Sequence, residues 1–334
     1  MKHIKKIFVI GAGSWGTTMA NHLSELGHNV TLCHKTFKNT TFMFENSKNK
    51  KIEISKNINH IIIQNNKISN IDKADSVCIA VPSNNIRQII KFLPLNKCPI
   101  IVNLSKGIEI SSLKTISQIL IEEYDINKEY VVTLSGPTHA EEVIFGIPSA
   151  LVVSSYNSNT SKSVQKTFNG RNLRVYNNND ILGVELGGSL KNVIAIAAGI
   201  SDGLGFGDNS KASLVTRGCK EISELGIKLG ANKSTFSGLS GIGDLIVTCF
   251  SKHSRNRFVG EKIGKGKSVS SIINEMKMVA EGLNTSKAVY KLIKIHNIEL
   301  PICESVYNII YNKLDPLNAV KNLINRNLSN EMPL

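Results

Sequence analysis

Lys191 stands in a run of sequence that gives an ammonium group no ordinary place. The run Glu185-Leu186-Gly187-Gly188-Ser189-Leu190-Lys191-Asn192-Val193-Ile194-Ala195-Ile196-Ala197-Ala198 is apolar on all sides at helical spacing, which predicts a buried helix. Burying an unpaired charge is expensive. On the lysine's own face, at i−4, i−3, i+4 and i+7, stand Gly187, Gly188, Ala195 and Ala198, all small. Two adjacent glycines inside a helix cost about 1 kcal/mol each against alanine. A hollow around the amine, filled by a ligand, would compensate. A partly desolvated lysine also has a lowered pKa, which suits proton transfer near neutral pH. Two plainer readings stand beside this one: an ion pair, with Glu185 a nearby candidate, or close helix packing at the glycines.

A second constellation is Gly11-Ala12-Gly13-Ser14-Trp15-Gly16, directly after the apolar run Ile7-Phe8-Val9-Ile10 and at the start of a helical pattern. In that context the motif reads as a dinucleotide site. Gly11 makes the turn, Gly13 admits the pyrophosphate, and Gly16 lets helix pack on strand. Ser14 and Trp15 begin a helix whose free N–H groups and positive dipole end face the phosphates. The alternative is an ordinary glycine-rich turn. An NAD-preferring site carries an acidic residue about 20 positions on, for the ribose hydroxyls. Here the second apolar run ends Cys33-His34-Lys35, with no carboxylate. Lys35, and His34 when protonated, would suit a 2′-phosphate, so the sequence favours NADPH over NADH.

Ser254-Arg255-Asn256 adds a guanidinium fork flanked by two short polar donors, a set that matches phosphate. As residues alone they are as well read as a polar loop. Asp244, after Gly241-Ile242-Gly243, reads alone as a helix N-cap. The eight histidines never fall at i and i+4, and no carboxylate cluster accompanies them, so no metal is expected.

These groups need a frame. Apolar strand-like runs recur at Ile7–Ile10, Val30–Cys33, Ser76–Val81, Ile100–Val102, Val131–Leu134, Ala150–Val153 and Leu173–Tyr176, with helical patterns between them. Strands separated by helices imply a mainly parallel, doubly wound α/β sheet. The polar stretch 37–59 reads as surface helix and loop. From about Ile181 only helical patterns remain: Leu182–Ala198, Ala212–Leu229, a run after Arg257, Ser270–Met278, Thr285–His296 and Ser305–Lys313. We expect a dinucleotide-binding domain over 1–179 and an all-helical domain over 180–334. The Asn-rich tail after Asn322 reads as frayed.

Bulk composition narrows the classes. The chain has 334 residues, 41% hydrophobic and 20% charged, enough for two ordinary globular cores. No unbroken apolar run reaches the roughly 18 residues of a membrane helix. The basic N-terminus is followed by a short strand pattern rather than a signal sequence. The six cysteines, Cys33, Cys78, Cys98, Cys219, Cys249 and Cys303, lack Cys-x-x-Cys spacing, which reads as buried free thiols in a reducing cytosol. The formal net charge is +14, but the lysines are scattered and aromatic content is 6%, so nucleic acid is not the expected partner. Lys, Asn and Ile abundance accounts for the charge as compositional bias.

Over nearly its whole length the chain resembles bacterial-type NAD(P)-dependent glycerol-3-phosphate dehydrogenase. The matches run in the family's order: Gly11 to Thr17; Ser105-Lys106-Gly107-Ile108-Glu109; Leu134-Ser135-Gly136-Pro137-Thr138-His139-Ala140-Glu141-Glu142-Val143; Val184 to Gly199; Thr216-Arg217-Gly218; Gly241-Ile242-Gly243-Asp244-Leu245 with Thr248-Cys249; Ser254 to Arg257; and Glu281-Gly282. His139 stands where the family usually has an aromatic residue, Ser105 where threonine is common, and 36–59 does not align. The resemblance implies a Rossmann-type domain followed by a helical one, of the 6-phosphogluconate-dehydrogenase-like kind. It implies reversible NAD(P)H-dependent reduction of dihydroxyacetone phosphate to sn-glycerol 3-phosphate, supplying glycerophospholipid synthesis. By the same resemblance Lys191 is the proton donor, and Lys106 touches both substrate and cofactor. Gly136, Thr138, Asp244, Ser254, Arg255 and Asn256 meet the substrate. His34, Lys35, Ala140, Arg255, Val279 and Glu281 join the glycine turn around the cofactor. A cytoplasmic homodimer without membrane insertion would fit. Rival readings are a hydroxy-acid dehydrogenase of the same superfamily, which would not need Ser254-Arg255-Asn256; a nucleic-acid-binding Rossmann-like protein; and a decayed structural relative, which intact Lys191, Lys106 and Asp244 argue against.

Overall fold

The computed structural model of the chain describes residues 4–35, 44–45, 51–52, 55–63, 67–91, 93, 99–276, 279–328 and 330–331. Its first half alternates strands and helices: β1 (Lys6–Ile10), α1 (Ser14–Glu25), β2 (Asn29–His34), β3 (Phe44–Glu45), β4 (Lys51–Ile52), β5 (Asn59–Ile62), β6 (Ser76–Ile79), α2 (Ile86–Ile90), β7 (Ile100–Asn103), α3 (Ile116–Gln118), β8 (Val131–Ser135), α4 (Ala140–Val143), β9 (Ser149–Ser155), α5 (Ser158–Phe168) and β10 (Leu173–Asn178). Eight of these strands form one sheet in the order β10-β9-β8-β7-β6-β1-β2-β5. Every pair is parallel except β8 with β9. The central strands are apolar on both faces because both faces are covered. Ile7 and Val9 enter one core, and Phe8 and Ile10 the other. The chain moves from β1 out to β2 and β5, then returns to β6 on β1's other side. That reversal opens a crevice at the carboxyl ends of β1 and β6, where open α/β sheets take ligands.

The expected strands are present. The reading of 37–59 as helix and loop is corrected where residues are described. Phe44–Glu45 and Lys51–Ile52 pair antiparallel, residues 55–58 are turn and loop, and β5 begins at Asn59; residues 37–43, 46–50 and 53–54 lie outside the described residues, as do Cys98 and Met278. The other five cysteines are free thiols.

The second half is helical: α6 (Ile181–Gly203), α7 (Asp208–Lys228), α8 (Asp244–Phe250), α9 (Arg255–Gly264), α10 (Val269–Glu275), α11 (Glu281–His296), α12 (Pro301–Tyr311) and α13 (Pro316–Ile324). Asp180 caps α6 by accepting the Gly183 N–H at 2.9 Å. Helix α6 is long and apolar enough, by length and composition, to cross a membrane, although Lys191, Asn192 and its glycines interrupt the apolar run in the sequence. In this fold it is the core helix: 94% of its most apolar window is buried in the protein, with α7, α8, α9, α11 and α12 around it. It meets α9 backbone to backbone. A Cβ on Gly199 would stand 2.0 Å from the Arg257 carbonyl oxygen, and one on Gly260 2.0 Å from that of Ile196. Helix α13 runs through Asn322 to Ile324, and the exposed Arg326 beyond it pairs with Glu299 at 2.7 Å.

Candidate active site

The glycine turn joins β1 to α1 at the crevice. Gly11 has φ +111°, which a side chain would strain, and a Cβ there would lie 2.3 Å from the Ala80 carbonyl. A Cβ on Gly16 would lie 1.9 Å from the Gly11 carbonyl, so helix and turn are in contact. Gly13 differs: a Cβ on it would meet nothing within 4 Å. That open lip sits at the N-cap of α1, where no side chain engages the helix's first N–H groups. Ser14 and Trp15 form the first turn of α1, and Trp15 packs against the core beneath. Turn, gap and free N–H groups fit a dinucleotide pyrophosphate.

At the end of β2, His34 is buried, with Nε2 2.9 Å from His60 Nδ1 on β5. Burial, and then the charge of His60, lower its pKa from 6.5, so near neutral pH it is an uncharged ring. The exposed Lys35, whose Nζ donates to Gln88 Oε1 at 3.2 Å, is the neighbouring cation.

Lys191 and Lys106 converge on one carboxylate. Asp244, the first residue of α8, is 1% exposed. Its Oδ1 takes a hydrogen bond from Lys191 Nζ, and its Oδ2 one from Lys106 Nζ at 2.7 Å. Lys191 Nζ also donates to Thr248 Oγ1 at 2.7 Å, while the Thr248 hydroxyl donates to the Asp244 carbonyl at 2.6 Å. Lys106 follows β7 and also donates to the Gly136 carbonyl at 3.2 Å, which accepts from Thr138 Oγ1 at the same distance. Burial pulls the Lys191 pKa down to about 7; the charge on Lys106 adds to this and Asp244 opposes it. Burial and the Lys191 charge also lower the pKa of His139, whose Nε2 is buried without a partner.

The lysine's pairing and the small residues on its face differ from the sequence expectations. Glu185 does not pair with Lys191. Its carboxylate accepts from Asn103, Ser117 and Thr133. Gly187 and Gly188 do not border a hollow: a Cβ on the first would stand 2.6 Å from the Ser240 carbonyl, and one on the second 2.5 Å from Ser135 Oγ. The glycines serve close packing, so the ligand-hollow reading of that pair is withdrawn. Thr248, which the sequence showed only as part of the family match, had no role assigned to it, although its place one turn after Asp244 on the same helix face was a usable signal.

Ser254 caps α9, its Oγ accepting the Arg257 N–H at 3.2 Å. Asn256 donates to Asn192 Oδ1 at 2.8 Å and accepts from the Gly282 N–H at 2.9 Å, which ties α9 to Lys191's neighbour and to α11. Arg255 is exposed and donates to the Val279 carbonyl at 2.9 Å. Glu281 opens α11 and accepts from Ser83 Oγ at 2.8 Å; burial raises its pKa. A Cβ on Gly107 would lie 3.3 Å from the Glu281 carboxylate, which puts that group beside the Lys106 loop. Ala140 opens α4 under α1, its carbonyl 3.4 Å from Thr18 Oγ1. Of the expected site residues, Lys106, Gly136, Thr138, Lys191 and Asp244 form one hydrogen-bonded set, Asn256 reaches it through Asn192, and Arg255 pairs with Val279 apart from it.

Family models for the N-terminus and the C-terminus of NAD-dependent glycerol-3-phosphate dehydrogenase match residues 6–161 and 180–321. The chain is 48% identical over 332 residues to the glycerol-3-phosphate dehydrogenase [NAD(P)+] of Thermoanaerobacter sp. (strain X514), covering 98% of this chain and 99% of the relative. It is 43% identical over 331 residues to that of Oceanobacillus iheyensis, covering 98% and 96%. Among solved structures, the glycerol-3-phosphate dehydrogenase of Coxiella burnetii superposes with a TM-score of 0.87 at 31% identity, covering 97% of this chain and 99% of that one. Matches this long, on a fold whose two lysines and aspartate meet at the cofactor crevice, leave one assignment: the chain belongs to the NAD-dependent glycerol-3-phosphate dehydrogenase family.

Proposed function

We propose that the chain reduces dihydroxyacetone phosphate to sn-glycerol 3-phosphate, reversibly, with Lys191 as the proton donor. The observation that carries the role of Lys191 is its amine, buried and held by two acceptors, Asp244 Oδ1 and Thr248 Oγ1. An ammonium has three protons, and the third is left for the substrate. When bound, the reduced nicotinamide supplies a hydride to C2. The carbonyl π electrons move to oxygen, Lys191 Nζ gives that oxygen its proton, and the neutral amine is reprotonated from solvent. In the oxidative direction the same amine takes the proton back.

Lys106 holds the substrate side of Asp244 and lies between substrate and cofactor. Gly136 and Thr138 line the substrate loop. The phosphate sits at the N-terminus of α9. There Ser254 can still donate its hydroxyl proton, Arg255 brings the charge, and Asn256 has a second amide N–H to give. Gly11, Gly13, Ser14, Trp15, Gly16, His34, Lys35, Lys106, Ala140, Arg255, Val279 and Glu281 surround the cofactor. Lys35 at the adenosine end favours NADPH. We divide the chain into a cofactor domain over 1–179 and a helical domain over 180–334, and infer a cytoplasmic enzyme, homodimeric, supplying glycerophospholipid synthesis.

The test is NADPH oxidation with dihydroxyacetone phosphate, wild type beside Lys191→Ala, repeated with NADH. The variant should bind NADPH as wild type does while turnover falls by about a hundredfold or more. Well-folded wild type that leaves dihydroxyacetone phosphate unreduced would end the substrate assignment, and a variant with normal turnover would end the role of Lys191.

A further inference from the structure

Glu185 is a charged residue in an apolar helix, 5% exposed, and has no ion-pair partner among the described residues. What satisfies it is a set of donors from three elements. Oε1 accepts from Asn103 Nδ2 at the end of β7 at 2.9 Å and from Thr133 Oγ1 on β8 at 3.0 Å. Oε2 accepts from Ser117 Oγ on α3 at 2.6 Å, and the Ser117 N–H reaches Oε1 at 3.1 Å. Asn103 Nδ2 and the Ser117 N–H can only donate, so Oε1 must accept from both, and the two hydroxyls complete the set.

These bonds lead to both sides of Lys106. Asn103, gripped through its amide nitrogen, uses its amide oxygen to accept the N–H of Ser105 at 2.9 Å. The carbonyl of Glu185 accepts from Ser189 Oγ at 2.7 Å, and Ser189 Oγ accepts the N–H of Gly107 at 2.9 Å. The residues before and after Lys106 are therefore both fastened to α6, Ser105 through Asn103 to the Glu185 side chain and Gly107 to Ser189, whose hydroxyl is oriented by the Glu185 carbonyl. Lys191 lies six residues further along the same helix, about 9 Å by helical rise. We propose that Glu185 is a positioning residue that sets the distance between Lys106 and Lys191, so that both amines meet the two oxygens of Asp244. This rests on the reading of Lys191 as the proton donor.

The consequence is electrostatic. The titratable groups that face Lys191 are Asp244 and Cys249 from α8, Lys106 from the loop after β7, and His139 from the turn before α4. Of these, Lys106 is the cation that lowers the Lys191 pKa, and it is held on a loop, whereas Lys191 is packed in the core helix. When the tie fails, the loop is what moves. Lys106 then recedes from both Asp244 and Lys191, and the Lys191 pKa rises.

Glu185→Gln keeps the volume but turns one acceptor into a donor facing donors. Ser189→Ala cuts only the Gly107 tie, and Thr133→Val removes one donor while leaving both ties to Lys106. We expect kcat for reduction to fall about ten- to a hundredfold in Glu185→Gln. Its apparent pKa should move upward from about 7. Ser189→Ala should shift the same way by less and carries the test if Glu185→Gln does not fold, whereas Thr133→Val should leave the profile in place. An apparent pKa equal to wild type in both Glu185→Gln and Ser189→Ala would overturn the proposal. Wild type that fails to reduce dihydroxyacetone phosphate would instead overturn the reading on which it rests.

Discussion

The pKa of Lys191 sets which form of the residue is present at a given pH. With Lys191 as the proposed proton donor, reduction needs the ammonium and oxidation of glycerol 3-phosphate needs the free amine. With a pKa near 7 the enzyme holds both forms at neutral pH. The turnover number for reduction should be flat below about 7 and fall about tenfold per unit above it. The oxidative turnover number should rise through the same point to a plateau. Asp244→Asn should move both midpoints down, because the aspartate's charge holds the proton on the lysine. Paired pH profiles check this, and midpoints that stay put in Asp244→Asn would mean another group titrates. At this scale the sequence was half legible. Lys191 announced itself because an apolar helix has no use for a charge. Its partners did not: Asp244 is 53 residues away along the chain from Lys191 and 138 from Lys106, and no spacing rule joins them. Only the family resemblance pointed there. Neither route foresaw that Asn256 would use its amide to tie Asn192 to Gly282, since a polar side chain does not reveal its partner.

Elements with strong apolar periodicity could be read, and those without it could not. Strand β5 is a sheet edge within a Lys- and Asn-rich stretch, so its pairing with β2 leaves little apolar alternation to detect. Helix α8 spans seven residues and follows an irregular turn in which Gly241 is far from helical, so only Asp244, read as an N-cap, pointed to a helix there. Helix α13 did carry a signal, Asp315 capping with Pro316 at its first position, obscured by the asparagines around it. The join of α7 to α12 was also hidden. Glu221 on α7 is buried and accepts the N–H groups of Ile302 and Cys303 at 2.7 and 3.0 Å, capping a neighbouring helix from the side. Burial raises its pKa to about 7 against those hydrogen bonds. Between its unfolded value, about 4.3, and about 7 the folded chain holds a proton that the unfolded chain has released. Stability from this group therefore falls as pH rises through that window, by roughly 4 kcal/mol in all. Glu221→Gln keeps an acceptor and cannot ionise. The melting temperature of wild type should thus drop relative to Glu221→Gln between pH 5 and pH 8, and parallel curves would show that Glu221 stays charged throughout.

At the scale of the whole molecule, the site exists only because two halves meet. The sheet half brings the glycine turn and Lys106, and the helical half brings Lys191, Asp244 and the α9 terminus. Helix α6 makes the junction, since it carries Lys191 and meets the sheet half through Glu185, which accepts from Asn103 and Thr133, through Ser189, which accepts the Gly107 N–H, and at Gly188, where a Cβ would stand 2.5 Å from Ser135 Oγ. The chain that folds this way bears a formal charge of +14, and its substrate and cofactor are both anions. Compositional bias and substrate attraction make different predictions about salt. Exposed lysines act through solvent, where the screening length shrinks from about 30 Å at 0.01 M to about 10 Å at 0.1 M. The Lys191–Asp244 contact is buried and is screened much less. If the field of the chain gathers its anionic substrate, kcat/KM for dihydroxyacetone phosphate should fall several-fold over that range while kcat stays nearly level. If the charge is only composition, spread evenly over the surface, kcat/KM should hold as well. A fall in kcat alone would point elsewhere, to ions acting within the crevice where the two halves join.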